Sequence, residues 1–278
     1  MKKYKLTDEC KEVDGVKVYR IEALKDFGNV LTGDLGGFIE KESNLSQAGH
    51  AWVSGRARVS GSARVSGSAW VDGHACVSGS AWVGGSARVD GGAQVSGDAC
   101  VSGSACVSGS ARVDGHAQVS GGAQVSGGAQ VSGDAWVSGS ACVSGSARVS
   151  GSARVRGSAR VDGHACVSGS AWVGGSARVD GHAQVSGGAQ VSGDACVSGS
   201  ALINDLDDYI TISPIGSEGG VLTAFKDKNK SITVTRGCFL GSIAEFAEAV
   251  KTTHKNNKHA QLYNLAIEMI KARLAIGE

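Results

Sequence analysis

A six-residue repeat fills more than half of this chain and decides what the chain can fold into. From Ala51 to Val197 the sequence reads Ala-x-Val-x-Gly-x without an insertion, which gives 25 consecutive hexads, and Ile203 continues the phase once more. Alanine and valine two residues apart share one face of a strand, so the residue between them points the other way. Each hexad therefore predicts a very short strand followed by a corner at glycine, which adopts positive φ without strain.

A strand with two inward residues cannot bury itself, so it needs copies stacked above and below it. The repeat therefore predicts a β-solenoid in which valine stacks on valine and alanine on alanine, about 4.8 Å apart. An α-helix is excluded because a glycine in every hexad would cost about 1 kcal/mol each time. A collagen helix is excluded because glycine does not recur at every third residue and the chain has 1 Pro.

The hexad Val-[Ser/Asp/Gly]-Gly-x-Ala-x resembles the hexapeptide-repeat superfamily of left-handed parallel β-helices. The resemblance implies a left-handed coil of triangular section with three hexads in each turn. The repeat then predicts about eight coils and a prism roughly 40 Å long. The opening, with Tyr19–Phe27, Gly33–Gly37 and Ala51–Val53, resembles the start of phage- or prophage-encoded hexapeptide-repeat proteins, some of which carry YdcK-type putative transferase or polymer-forming labels.

Both ends of the chain depart from the repeat, which divides it into three parts. We predict an N-terminal β-hairpin cap at 1–50, the β-helix at 51–203, and a small α+β C-terminal module at 204–278. In the first part, Asp14-Gly15 is typical of a type I′ turn between strands near 3–12 and 16–23. A cap at this end would cover the strand edge that the first coil exposes.

The C-terminal part combines strand and helix patterns. Strands are predicted at 209–215, 220–225 and 231–236. The capping box Ser242–Glu245 predicts a helix that continues to about residue 253. A second helix is predicted from apolar residues at helical spacing, with Gly277 as its C-cap; these residues are Leu262, Leu265, Ala266, Met269, Ile270 and Leu274.

Composition narrows the functional classes. The formal net charge of +1 argues against a strongly basic nucleic-acid binder, so no specific nucleic-acid partner is predicted. No apolar run approaches the roughly 18 residues of a membrane helix, and the charged start at 1–9 is unlike a signal peptide. The chain has 8 Cys, which without a secretion signal indicate a reducing compartment. A cytoplasmic protein with no membrane partner is therefore predicted.

Two stacked histidines are the candidates for catalysis. Many hexapeptide-repeat proteins are CoA-dependent acyltransferases that use a histidine as general base. A coil of three hexads would stack His164 on His182, with Asp162 and Asp180 beside them, and a histidine–carboxylate pair can act as a base. However, other hexads carry Ser, Gly or Asp in the histidine slot, and no loop leaves the repeat to form an acceptor pocket. We interpret the four residues as solvent-facing corner residues and predict neither a metal site nor a cofactor.

Tryptophan in the outward slot is the candidate for an interface. In three-hexad phase Trp82, Trp136 and Trp172 fall on one face, and Trp52 and Trp70 fall on another. Exposed tryptophan often marks a contact surface, so we predict that these five residues form interfaces. The same slot otherwise alternates among Arg, Cys and Gln, which is typical of a tolerant surface position.

The leading prediction is a non-enzymatic scaffold or binding protein of the phage or prophage type. We expect a homo-oligomer, with a trimer favoured, and an unknown protein partner that binds the C-terminal module. One alternative is a CoA-dependent acyltransferase. A second alternative is the sequestration of a small anionic ligand between subunits.

Overall fold

A computed structural model describes residues 2–275 and contains a parallel β-solenoid with a separate structure at each end. Each outward residue pairs in parallel with the outward residue of the third hexad along, as Trp52 does with Trp70. Three hexads therefore make one turn, as predicted. One face carries nine two-residue strands, so the solenoid has about nine turns, one more than predicted. The left-handedness of the coil stays a prediction.

The two-residue strands of the solenoid, numbered along the chain from β4 (Trp52–Val53) to β29 (Leu202–Ile203), form three faces, which are named in chain order. The first face consists of Trp52–Val53, Trp70–Val71, Arg88–Val89, Cys106–Val107, Gln124–Val125, Cys142–Val143, Arg160–Val161, Arg178–Val179 and Cys196–Val197. The second face consists of Arg58–Val59, Cys76–Val77, Gln94–Val95, Arg112–Val113, Gln130–Val131, Arg148–Val149, Cys166–Val167, Gln184–Val185 and Leu202–Ile203. The third face consists of Arg64–Val65, Trp82–Val83, Cys100–Val101, Gln118–Val119, Trp136–Val137, Arg154–Val155, Trp172–Val173 and Gln190–Val191.

The interior of the solenoid is made of the repeated alanine and valine. From Ala51 to Val197 these side chains are at most 1% exposed, and together they form one continuous core cluster. A ladder of backbone hydrogen bonds joins the turns, for example from Gln118 N to Ala135 O at 2.9 Å. Each turn therefore depends on the turns above and below it, as expected of a repeat protein.

The N-terminal cap is a hairpin followed by a strand that joins the solenoid. Strand β1 spans Tyr4–Val13, β2 spans Val16–Ala23 and β3 spans Leu35–Ile39. The turn at Asp14 and Gly15 has φ values of 52° and 77°, which confirms the predicted type I′ geometry. Strand β3 is antiparallel to β2 but parallel to the first strand of the second face, so it joins the cap to the solenoid ladder.

Polar side chains from the cap satisfy carbonyl groups at the start of the solenoid. Lys3 is fully buried, and its Nζ donates to Ala51 O at 2.8 Å. Asn44, in the 3-10 turn Glu42–Asn44, donates from Nδ2 to Ala63 O at 2.8 Å and to Gly61 O at 3.1 Å. These groups have no preceding turn to bond, so the cap replaces the hydrogen bonds that another turn would supply.

Burial of Lys3 should make folding depend on pH. Desolvation, with a smaller contribution from Lys25, lowers the pKa of Lys3 from 10.5 to about 8. The unfolded chain therefore binds more protons between these two values, and the free energy of unfolding should rise as pH increases from 8 to 10. Denaturant titrations across this range should lose part of that slope in Lys3→Met.

The control for this measurement is Lys5→Met. The side chain of Lys5 is 50% exposed and pairs with Glu22 at 3.0 Å, so its removal should leave the slope intact. The window must end near pH 10, because burial raises the pKa of Tyr4 and acts in the opposite direction at higher pH. Equal slopes in the wild type and Lys3→Met would contradict the assignment to Lys3.

The C-terminal module is an antiparallel sheet with two helices. Its strands are β30 (Tyr209–Ile215), β31 (Gly220–Lys226), β32 (Ile232–Arg236) and β33 (Phe239–Ser242), and its helices are α1 (Ile243–His254) and α2 (Lys258–Ala275). The 3-10 turn Leu206–Asp208 precedes the sheet. The three predicted strands and both helices are confirmed, whereas β33 was not predicted. The capping box of Ser242 and Glu245 is also confirmed; the predicted C-cap Gly277 lies outside the described residues.

Helix α2 buries only part of its apolar sequence. The residues that pack in the core of the module are Ala260, Tyr263, Ala266, Ile267, Ile270 and Leu274. Leu262, Leu265 and Met269, which belong to the same apolar pattern in the sequence, are 50%, 68% and 55% exposed. The helix therefore has a second apolar stripe that faces solvent. Within residues 2–275 no helix has the length and apolar character needed to span a membrane.

Threonine hydroxyls of the module close the last turn of the first face. Cys196 N donates to Thr223 Oγ1 at 3.2 Å, and Thr235 Oγ1 donates to Cys196 O at 2.8 Å. Thr223 and Thr235 are paired across β31 and β32 and are 1% and 4% exposed. The two hydroxyls take the place of the backbone groups that a further turn would offer.

The other two faces end in a similar way. The Tyr209 hydroxyl donates to Gln190 O at the end of the third face. Lys228 N donates to Ser200 O at 3.1 Å, beside the last strand of the second face. Phe225 is fully buried and belongs to the solenoid core cluster. The module is therefore packed directly on the solenoid and covers an edge that would otherwise be open to another strand.

Candidate functional site

The two predicted catalytic histidines stack as the three-hexad coil requires. The His164 and His182 rings have centroids 5.0 Å apart and an interplanar angle of 4°. The carboxylates do not complete a base, however, because in the described chain neither histidine forms an ion pair with Asp162 or Asp180. Asp162 Oδ1 instead accepts from Gly163 N at 2.7 Å. Burial, and secondarily the Asp162 carboxylate, raises the pKa of Asp180.

One of these histidines borders a cavity that the sequence did not predict. A cavity of about 280 Å³ lies where the second face meets the C-terminal module, and its lining includes His182, Gln184, Leu202 and Lys228. The sequence predicts no acceptor pocket here, because no loop leaves the repeat. The wall comes instead from the β31–β32 connection, which carries Lys228. The cavity therefore brings an imidazole and an ammonium group together.

A second histidine cluster was not predicted from the sequence. His116 Nε2 lies 3.3 Å from Asp98 Oδ2, and His116 Nδ1 lies 3.6 Å from Asp134 Oδ1. The signal was available, because Asp98, His116 and Asp134 occupy the same hexad slot in three successive turns. All three side chains are well exposed, at 71% for His116. Within residues 2–275 no set of three or more His, Cys, Asp or Glu is arranged to hold a metal ion.

The two groups of tryptophan lie on the predicted faces but in different surroundings. Trp52 is 2% exposed, because Tyr4 and Phe27 of the cap pack edge-on against it with ring centroids at 6.3 and 5.3 Å. Its contact surface is thus covered within the chain and is not available to a second copy. Trp70, the next residue on the first face, is partly buried against the same core.

The third face carries the other three tryptophans. Trp82 and Trp136 are 43% and 38% exposed, whereas Trp172 is partly buried. They do not form a continuous row, since other residues separate Trp82 from Trp136 and Arg154 separates Trp136 from Trp172. The structure thus places them on one face, and their role as an interface stays a prediction.

A groove between the solenoid and the module gathers arginine. It has a volume of about 420 Å³, and its lining includes Arg178, Asp194, Thr235 and Arg236. Arg236 Nη2 donates to Ile215 O at 3.0 Å. The groove offers two guanidinium groups, but the Asp194 carboxylate offsets part of their charge.

These features define a hexapeptide-repeat-like parallel β-helix, a β-solenoid protein with closed ends. Its repeats match the family model described as the YdcK β-solenoid repeat at residues 51–67, 93–109, 129–145 and 189–204.

A relative with a similar repeat is the uncharacterized acetyltransferase YdcK of Escherichia coli strain K12. It is 36% identical over 61 residues, which are 19% of this chain and 19% of the relative. The aligned part thus spans about a fifth of either protein. With so small a share covered, the activity in the relative's name can enter here only as a proposal.

Proposed function

We propose that this protein is a non-enzymatic β-solenoid scaffold or binding protein that holds two different end modules apart. The observation that supports this proposal is the uninterrupted ladder, which runs between the cap and the C-terminal module with no loop inserted among its hexads. Such a ladder is stiff because every turn is hydrogen-bonded to both neighbours. The alanine and valine core is uniform, whereas the outward slot varies among Arg, Trp, Cys and Gln, as suits a spacer. The prophage setting and the cytoplasmic location remain predictions.

The C-terminal module is the proposed contact surface for a partner. Leu262, Leu265 and Met269 form the exposed stripe of α2, and Leu240 of β33 is also 55% exposed. Exposed apolar side chains that lie together favour association, because covering them removes apolar surface from water. We propose that this protein is a homo-oligomer, with a trimer favoured, and that either this stripe or the third-face tryptophans form the contact.

Light scattering at micromolar concentration tests the oligomer. We expect a mass above that of one chain for the wild type and a lower mass when the responsible surface is made polar. Leu262→Gln with Leu265→Gln tests the stripe, and Trp82→Gln with Trp136→Gln tests the third face. Glutamine already occupies that slot at Gln118, so the tryptophan variants should fold. A monomeric wild type would overturn the oligomer proposal.

Acyl transfer is the second candidate, supported by the cavity at His182 and by the printed name of the relative. In this reaction His182 would accept the proton of an acceptor amine or hydroxyl as that group attacks the thioester carbonyl of an acyl-CoA. The acyl group would pass to the acceptor, and the CoA thiolate would leave and take up the proton. Lys228 at the cavity would attract an anionic substrate group.

Calorimetric titration with acetyl-CoA, followed by a turnover assay, separates the two candidates. Under the scaffold proposal we expect no turnover and no acetyl-CoA binding that depends on His182. Under acyl transfer, His182→Ala should lose turnover by roughly 10²-fold or more, as for other general bases. The control is His74→Ala, which alters the same corner slot far from the C-terminal module. Turnover that depends on His182 but not on His74 would overturn the scaffold proposal.

A further inference from the structure

Two of the three tryptophans on the third face donate the indole N–H to a serine of the previous turn, and the third does not. Trp82 Nε1 donates to Ser66 Oγ at 2.9 Å, and Trp136 Nε1 donates to Ser120 Oγ at 3.3 Å. In both cases the serine follows the valine of the previous turn. Trp172 Nε1 is buried and has no hydrogen-bond partner among the described residues. The third indole has therefore lost a bond that the other two make.

The cause is an arginine at the position of the serine. Residue 156 follows Val155 as Ser66 and Ser120 follow their valines, and it is the one arginine in that hexad slot. The guanidinium Cζ of Arg156 lies 5.7 Å from the centroid of the Trp172 ring. The cation thus covers the indole, but it cannot accept the indole N–H, because a guanidinium has donors and no acceptor.

The charge at this place has no ion-pair partner among residues 2–275. Arg154 is the ladder neighbour of Trp172 and lies two residues before Arg156, and both arginines are exposed. In the part of the chain that the structure describes, neither forms an ion pair. Elsewhere in the repeat, four of the seven other Arg-Val pairs are followed by aspartate, and Arg88 Nε lies 3.4 Å from Asp90 Oδ2. The Arg-Val-Arg segment therefore places two uncompensated charges together.

A cavity opens at the same place. It has a volume of about 500 Å³ and is lined by Ser152, Arg154, Arg156, Ser170, Trp172 and Gln190. The lining contains two guanidinium groups, two hydroxyls and an amide, and it contains no carboxylate. By contrast, the arginine groove at the C-terminal module includes Asp194 in its lining.

We propose that this cavity, named here the Trp172 cavity, binds a tetrahedral oxyanion, such as the phosphate or sulfate group of a small molecule. A tetrahedral oxyanion carries only acceptors, which matches a lining dominated by donors. Guanidinium groups bind such anions through charge-assisted and often bidentate hydrogen bonds. With Arg156 in place of a serine, Trp172 lacks the hydrogen bond that the other two indoles make. The arginine also adds a charge that has no ion-pair partner among the described residues, which suits an external anion. The proposal is independent of whether the protein is a scaffold or an acyltransferase.

Calorimetry with three probes tests the proposal on the full chain at low ionic strength. The probes are inorganic phosphate, inorganic sulfate and glycerol phosphate. We expect saturable binding to the wild type. In Arg156→Ser the affinity should be at least about ten-fold weaker, since the loss of one charge-assisted hydrogen bond lowers an affinity by about ten-fold or more. Arg156→Ser restores the residue found beside Trp82 and Trp136, so this variant should fold and give Trp172 its hydrogen bond.

A second variant and a matched control complete the experiment. Arg154→Gln should weaken binding to a similar extent, whereas Arg112→Gln, which alters an arginine on the second face, should change the affinity less than two-fold. Trp172 fluorescence should change on binding in the wild type, because the cation over its ring takes part in the site. Comparison of glycerol phosphate with inorganic phosphate tells whether an ester or the free anion is preferred. No saturable binding to the wild type, or equal affinity in all four proteins, would overturn the proposal.

Discussion

Gly121→Ala should lower the free energy of unfolding by roughly 2–5 kcal/mol, the sum expected for a left-handed backbone and for overpacking. Gly121 has a φ of 67°, a conformation that a residue with a Cβ adopts at a cost. A Cβ at this position would also lie 2.9 Å from Gly139 O in the next turn. Because the backbone oxygen belongs to a ladder that is fixed on both sides, it cannot move away alone. Denaturant titration monitored by circular dichroism measures the loss.

The neighbouring glycine provides the matched control. Gly122 lies outside the left-handed region, and a Cβ there would be 3.7 Å from the same Gly139 O, an ordinary contact. Gly122→Ala should therefore leave stability unchanged or raise it by about 0.4–1 kcal/mol, since alanine restricts the unfolded chain. The two variants have the same composition and lie in the same corner. Equal losses in both would show that the stacked corner glycines do not limit the spacing of the turns.

The regular part of the fold was predictable because one repeat encodes it many times. The alternation of Ala and Val indicated the strand, and the three-hexad turn inferred from the family placed Trp82 and Trp136 on one face. The predicted eight turns count only the complete coils in 25 hexads, whereas the first face has a ninth strand at Cys196–Val197. Strand β3 was not predicted to join the ladder, because it reads Gly-Phe-Ile where the repeat has Ala-x-Val, although Phe38 pairs with Arg58 as a repeat residue would. Irregular sequence that joins a regular ladder gives no periodic signal.

The sites were less predictable because they depend on what lies beside each residue. The stacking of His164 on His182 follows from the period alone, and it is observed. The absence of a histidine–carboxylate pair does not follow from the period, because Asp162 accepts a hydrogen bond from the backbone N–H of Gly163 in its own corner instead. The cavity at His182 depends on Lys228, which comes from a strand connection that no repeat pattern describes. The contacts between the module and the solenoid therefore could not be predicted from the sequence and are seen only in the structure.

The closure of the last turn by the C-terminal module was also not predictable from the repeat. Its removal should have a second large effect on stability. In the double variant Thr223→Val with Thr235→Val, the free energy of unfolding should fall by roughly 2–6 kcal/mol, since each buried group left without a partner costs about 1–3 kcal/mol. Valine keeps the shape of threonine, so packing is preserved while Cys196 N and O lose their partners. Thermal and denaturant unfolding measure the loss.

The control for this double variant is Thr211→Val. Thr211 lies on β30 opposite Thr223 but is exposed, so its hydroxyl can bond water and its replacement should change stability by less than about 0.5 kcal/mol. The double variant should also bring faster amide hydrogen exchange at Cys196, because the end of the ladder then opens without unfolding the turns before it. If the double variant were as stable as Thr211→Val, the module would be held by its apolar contacts alone. The ladder would then end at Cys196 with its polar groups satisfied by water rather than by the two threonines.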